Sequence, residues 1–234
     1  MAHARIEISR PSGHYAMELD HDDTLAALSS IERVHVIGAG LNPGTPAHNA
    51  VHDISKRGWC PIPVHPRDAG GTIAGYPIRP LIDEGIEPEI MVLFLAPLTA
   101  RALLRKLIMS NSAPSSLIWF QNGAEDDVSE GWLNQAGWPY VKHDCIVRFM
   151  ERNDLSREPN PMPWFRQVRD ERESGCSMWT VHEYGEDSAP PQSKLEWVGD
   201  LLELESSNAL IPRYVRGLIG RNESLEQCGR RLAD

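Results

Sequence analysis

Three short apolar runs constrain this chain more than anything else in it: VHVIG (34–38), EIMVLFLAP (89–97) and SSLIWFQNG (115–123). Runs this brief, closed by Gly, Pro or Asn-Gly, suit strands covered on both faces. Amphipathic stretches separate them. A helix is expected over about 47–57, stopped by Gly58. TARALLRKLIM (99–109) carries apolar residues at 103, 104, 107 and 108, and AEDDVSEGWLNQAG (124–137) has an acidic first turn and a Gly stop. A further helix over Asp22–Ile31 places Leu25, Leu28 and Ile31 on one face. WCPIPVHP (59–66) reads as the second strand, and its prolines put it at an edge or near the strand ends. GTIAGYPIRPLIDEG (71–85) holds a short extended piece and a turn, and PYVKHDCIVR (139–148) is expected to be the last strand.

The alternation predicts an α/β fold, a Rossmann-like parallel sheet with helices on both faces. Residues 1–21 are expected to form an N-terminal arm and 22–150 the nucleotide-binding domain. Residues 151–234 form an extension of mostly helical or irregular character. Within it ERNDLSREPNPMPWF links, SAPPQS breaks, and helices are expected over 194–204 and 208–231, with Trp164, Trp179 and Trp197 needing cover.

The net charge of −10 argues against a nucleic-acid surface, which needs Lys and Arg to displace phosphate counterions. No stretch of 18 apolar residues occurs, so no membrane partner is expected. The start of the chain lacks an apolar leader, and the four cysteines include no C-x-x-C pair. A reduced, cytoplasmic protein is the expectation.

Ligands of such sheets bind beyond the carboxyl ends of the strands, here Gly38–Pro46, His65–Arg67, Leu95–Thr99 and Gln121–Gly123. The first of these, GAGLNPGTPAH, is a Gly-rich strand-to-helix loop whose backbone N–H groups and helix dipole suit a phosphate. Gly38 and Gly40 give the G-x-G opening of a dinucleotide loop, but Pro43 stands where that pattern wants Gly or Ala. The second strand ends in His65-Pro66-Arg67, where NAD-binding chains usually offer an acid for the ribose. A cation there suits a phosphorylated ribose, as in coenzyme A or NADP.

His48 and His52 are spaced to share a metal, but Asn49 replaces the zincin Glu and no third ligand is signalled, so no metal site is expected. Cys145, near His143 and Asp144, reads as a structural cysteine, and no G-x-S-x-G elbow occurs. No catalytic residue is singled out.

Taken in order, Asn42-Pro43-Gly44, Pro46-x-His48, Pro63-Val64-His65-Pro66-Arg67, Gly70 to Gly75, Trp119-Phe120-Gln121-Asn122-Gly123 and Asp144-Cys145 resemble a known pattern. It is that of the small bacterial and archaeal CoA-binding proteins, stand-alone relatives of the CoA-binding domain of the succinyl-CoA synthetase α subunit. The resemblance covers roughly Asp22 to Arg148. It implies a non-catalytic binder of coenzyme A or acyl-CoA, acting as sensor, carrier or subunit. Gly38, Ala39, Gly40, Leu41, Asn42 and Pro43 would hug the pyrophosphate or pantetheine, with His48 at the helix start. His65 and Arg67 would face the adenosine end, Leu95, Ala96 and Pro97 would wall the channel, and Gln121, Asn122 and Gly123 would close the far side. Two other readings stand: an NADP-dependent oxidoreductase whose extension supplies the substrate pocket, and an assembly subunit with a vestigial nucleotide site. A homodimer or a protein partner would then engage the extension.

Overall fold

The structure, a computed structural model, describes residues 17–111, 116–170 and 175–234, so most of the expected N-terminal arm lies outside the described residues. Helix α1 (His21–Ser30) leads into β1 (Arg33–Ile37), α2 (Pro46–Lys56) and β2 (Cys60–Val64). A two-stranded hairpin follows, β3 (Thr72–Ile73) and β4 (Tyr76–Pro77). Then come β5 (Ile90–Leu93), α3 (Pro97–Met109), β6 (Leu117–Phe120), α4 (Asp127–Ala136), β7 (Tyr140–Val141) and α5 (Ile146–Arg152). The parallel sheet has the order β2-β1-β5-β6-β7. Met17 and Leu19 add backbone hydrogen bonds to Tyr140 at the β7 edge.

Period-two alternation along the apolar strands sorts the side chains into two layers. Val34, Val36, Ile90, Val92, Leu117 and Trp119 pack with residues of α2 and α5 on one face. Ile37, Met91, Leu93, Ile118 and Phe120 pack with α3 and α4 on the other. Full burial of side chains this large contributes roughly 1.5–3 kcal/mol each. The prolines of β2 are accommodated because β2 ends the sheet, with β1 on one side and on the other only the Arg79 backbone, which bonds to Pro63 and His65.

Three sequence expectations are corrected. The single helix expected over 208–231 is two, Leu210–Gly217 and Leu225–Arg231. The last strand stops after Val141, and residues 146–152 are the helix α5 instead. His143, with φ at +58°, turns the chain between them. The expected helix over 194–204 is mostly a strand. The extension contains β8 (Trp164–Arg169), β9 (Ser177–His182) and β10 (Lys194–Asp200), an antiparallel sheet of order β10-β8-β9. Three short helices complete it: α6 (Leu201–Ser206), α7 (Leu210–Gly217) and α8 (Leu225–Arg231). Phe165, Trp197, Leu204, Val215 and Cys228 form its core, and Trp179 stacks between Phe165 and Trp197 at centroid distances of 5.5 and 5.8 Å.

A buried ionic cluster holds the extension to the parallel sheet. Asp200 and Glu203 close a capping box at the start of α6. The Arg79 guanidinium donates to both Glu203 oxygens, at 2.5–3.1 Å, and to Asp200 at 3.3 Å, while Arg33 donates to Asp200 at 2.5 Å. A backbone ladder between Thr72 and Ser188 adds a second seam.

Candidate functional site

Strand order reverses between β1, which turns outward to β2, and β5, which leads the other way to β6 and β7. A crevice at the carboxyl edge belongs at that point. Gly38 opens it with φ at +99°, and a Cβ there would lie 2.6 Å from the Phe94 carbonyl oxygen. Only glycine lets the two chain ends approach this closely.

The loop that follows is braced by its neighbours. Leu41 N–H donates to Asp68 Oδ2 at 2.8 Å, and His65 Nδ1 lies 3.1 Å from the same oxygen. A Cβ on Gly40 would fall 2.3 Å from that carboxylate, so the bracing requires a bare backbone at this position. Asn42 Oδ1 accepts from Gly44 N–H at 3.0 Å. Thr45 caps α2 and Pro46 starts it. His48, buried, bonds through Nδ1 to the Gly40 carbonyl at 3.0 Å. After these bonds the N–H groups of Ala39, Gly40 and Asn42 have no acceptor among the described residues. They stand at the positive end of α2, where an anion is favoured.

The other expected residues follow along the same edge. Leu95 is half-buried, while Ala96 and Pro97 are exposed where α3 begins. Gln121 Oε1 accepts from Ile146 N–H at 3.3 Å, which ties the β6 end to α5. Asn122 is exposed, and Gly123, with φ at +87°, donates its N–H to Glu125 at 2.8 Å. Partial burial works to raise the Glu125 pKa, but the Glu125 and Gly123 N–H groups and His143 outweigh it and hold the carboxyl below its usual value. His143 is thus paired with Glu125 at 3.1 Å.

Two clefts adjoin this edge. One, of 630 Å³, runs from the strand ends between α2 and α5 and is lined by Pro46, Asn49, Phe94, Gln121, Cys145 and Arg148 among others. Cys145, read from the sequence as structural, is half-buried on its wall. The second, of 510 Å³, lies between the β2 end and the extension, with Arg67 facing Pro190, Pro191, Leu195 and Trp197. Arg67 is exposed and without an ion pair among the described residues. The structure therefore gathers Gly38–Pro43, His65 and Asp68 in one loop cluster, and sets Arg67 apart in a cleft shared with the extension.

Sequence reasoning missed Asp68, although it directly follows His65-Pro66-Arg67, the stretch where an acid was sought. It also missed Pro190 and Pro191, whose only signal was the break SAPPQS.

The sequence profile of a family described as the CoA binding domain matches residues 32–150, just over half of the chain. No curated protein matches it. A solved Thermus thermophilus protein, cell-free ID.343, is 26% identical with a TM-score of 0.51, over 57% of this chain and 98% of that one. Prb, a protein redesigned for binding, is 22% identical with a TM-score of 0.51, over 59% and 95% of the two chains, and shares the fold. Residues 151–234 lie outside the family match.

Proposed function

The chain belongs to the CoA-binding domain family, and on that premise we propose that it binds coenzyme A or an acyl-CoA without acting on it chemically, as a sensor, carrier or subunit. The observation that carries this reading is the loop at the strand-order reversal, where the N–H groups of Ala39, Gly40 and Asn42 are left without acceptors beside the start of α2. A pyrophosphate satisfies such groups, with Gly38, Leu41 and Pro43 shaping the backbone around it. His48 holds the loop in place through Gly40. His65 and Arg67 take the adenosine end, Arg67 as the unpaired cation for the 3′-phosphate. Leu95, Ala96 and Pro97 wall the pantetheine channel, and Gln121, Asn122 and Gly123 close it.

The family match stops short of the extension, which lines the Arg67 cleft through Pro190, Pro191 and Leu195. In this reading the extension covers the adenosine end. It also offers a surface to a second copy or a protein partner, since Leu210 and Tyr214 of α7 are 81% and 66% exposed. A cytoplasmic setting goes with this reading. Among the described residues no helix is long and apolar enough to cross a membrane.

Calorimetric titration with CoA, dephospho-CoA, NADP and NAD tests the proposal. Binding of CoA that weakens without the 3′-phosphate is the expected result. A preference for NADP supports the oxidoreductase reading instead, and binding of none of the four leaves an assembly subunit.

A further inference from the structure

The two histidines of α2, for which the sequence signals no third ligand, acquire one in the fold. His48 and His52 are four residues apart and present their imidazoles on one face. His48 Nδ1 bonds to the Gly40 carbonyl, which can only accept, so Nδ1 carries a proton, and in the neutral ring Nε2 offers a lone pair. That Nε2 lies 3.3 Å from His52 Nε2. Asp187, from the extension, brings its Oδ2 to 3.4 Å from His48 Nε2 and 3.6 Å from His52 Nε2. Its position is fixed on both sides. Oδ1 accepts from Ala74 N–H at 2.7 Å, Ser188 exchanges backbone hydrogen bonds with Thr72, and Thr72 Oγ1 donates to the Glu186 carbonyl at 2.7 Å.

We propose that His48, His52 and Asp187 bind a divalent transition-metal ion, zinc foremost, which clasps the extension to α2. Tetrahedral zinc with bonds of about 2.0–2.1 Å holds its ligand atoms about 3.3–3.4 Å apart. The separations of 3.3, 3.4 and 3.6 Å already fit that triangle. An octahedral ion with similar bonds would need neighbouring ligands about 2.9 Å apart. Two imidazoles and one carboxylate suit zinc and its transition-metal neighbours, whereas magnesium and calcium prefer oxygen alone. The Gly40 carbonyl on His48 Nδ1 is the kind of outer partner that metal-bound histidines have.

The His52 and Asp187 side chains are 33% and 43% exposed, so a fourth position opens to solvent and takes water. A cation also resolves the electrostatics. With both rings neutral, His48 Nε2 and Asp187 Oδ2 are acceptors, and His52 has at most one Nε2 proton to serve them.

The full chain, stripped with EDTA and dialysed, is titrated calorimetrically with zinc sulfate alone. One ion per chain is expected, with affinity at least about tenfold weaker in His52→Ala and Asp187→Ala, since even outer-shell losses cost that much. Cobalt(II) in place of zinc gives the intense visible absorption of a tetrahedral complex, which the two variants lose. Zinc also slows amide exchange at Ala74 and Ser188 in the native protein but not in Asp187→Ala. Circular dichroism of the metal-free variants checks folding, and if Asp187→Ala does not fold, the His52→Ala titration decides. Failure of the native protein to bind one zinc, or equal binding by a folded variant, overturns the proposal. No CoA is present in these experiments, so their outcome is separate from that of the nucleotide reading.

Discussion

Replacing Arg79 with Ala removes the centre of the cluster that joins the extension to the parallel sheet. The Arg79 side chain is 3% exposed, and that of Glu203, its main partner, 5%. Without the guanidinium, Glu203 keeps the Asp200 N–H at 2.8 Å and a distant Arg33 Nη2 at 4.0 Å, and its charge stays buried. Breaking one side of a buried ion pair costs about 3–5 kcal/mol. For a chain of this size each kcal/mol moves the melting temperature by ~2–4 °C, which gives a fall of ~6–20 °C. Urea unfolding at pH 7 followed by tryptophan fluorescence reads the loss, because Trp164, Trp179 and Trp197 lie in the extension and Trp59, Trp119, Trp132 and Trp138 do not. The double variant Arg79→Met, Glu203→Leu should recover much of the loss, since apolar replacement of a whole buried pair is often neutral. A loss below about 1 kcal/mol in Arg79→Ala, or a double variant as unstable as the two single losses added, would refute the reasoning.

Acid should loosen the same region in two stages. Burial, aided by Arg33 and Arg79, holds His35 well below its usual pKa. The unfolded chain then takes up a proton that the folded one refuses, and stability falls as pH drops below about 6.5, by up to ~1.4 kcal/mol per unit. Burial works to raise Glu203, but Arg79 and Arg33 outweigh it and depress its pKa. Its contribution is complete above the unfolded carboxylate pKa of about 4.3 and is lost as pH falls through the folded value. His35→Leu should flatten the unfolding midpoint between pH 6 and 5, and an unchanged slope would contradict the assignment. Gly40→Ala should displace the Asp68 carboxylate from Leu41 N–H and lower CoA affinity at least tenfold while the unfolding midpoint moves little, as read by calorimetry and denaturation together. Arg67→Ala should weaken CoA but leave dephospho-CoA unchanged. Burial pushes the Cys60 thiol up to about 11, so iodoacetamide at pH 8 should leave it unmodified in the folded protein, as peptide mass mapping would show.

Much of the parallel sheet was legible because β1, β5 and β6 are continuous apolar runs whose two faces are both covered. Pro61 and Pro63 limited β2 to an edge or to strand ends, of which the structure has the edge, and Gly58 and Gly137 marked helix ends. The strand β10 misled for a definite reason. Its pairing with β8 shifts register between Leu195 and Trp197, so the period of two is broken. Leu195, Val198 and Leu201 or Leu202 then read at helical spacing. Lys142-His143-Asp144 reads as part of a strand because apolar residues flank it, although His143 turns the chain there. Asp68 and Asp187 act on residues distant in sequence, Leu41 and the α2 histidines. No local pattern announces such a partnership, because it exists only once β2, the hairpin and the extension have packed.

The claim at the centre of this account is that coenzyme A sits on the β1–α2 loop. Titrating CoA into ¹⁵N-labelled protein and following the backbone amides tests it most directly. Ala39, Gly40 and Asn42 are expected to shift most, as N–H groups without acceptors gain phosphate oxygens, with Gly123 following at the far wall. Saturating CoA that leaves these amides unmoved, or shifts confined to the extension, would contradict it.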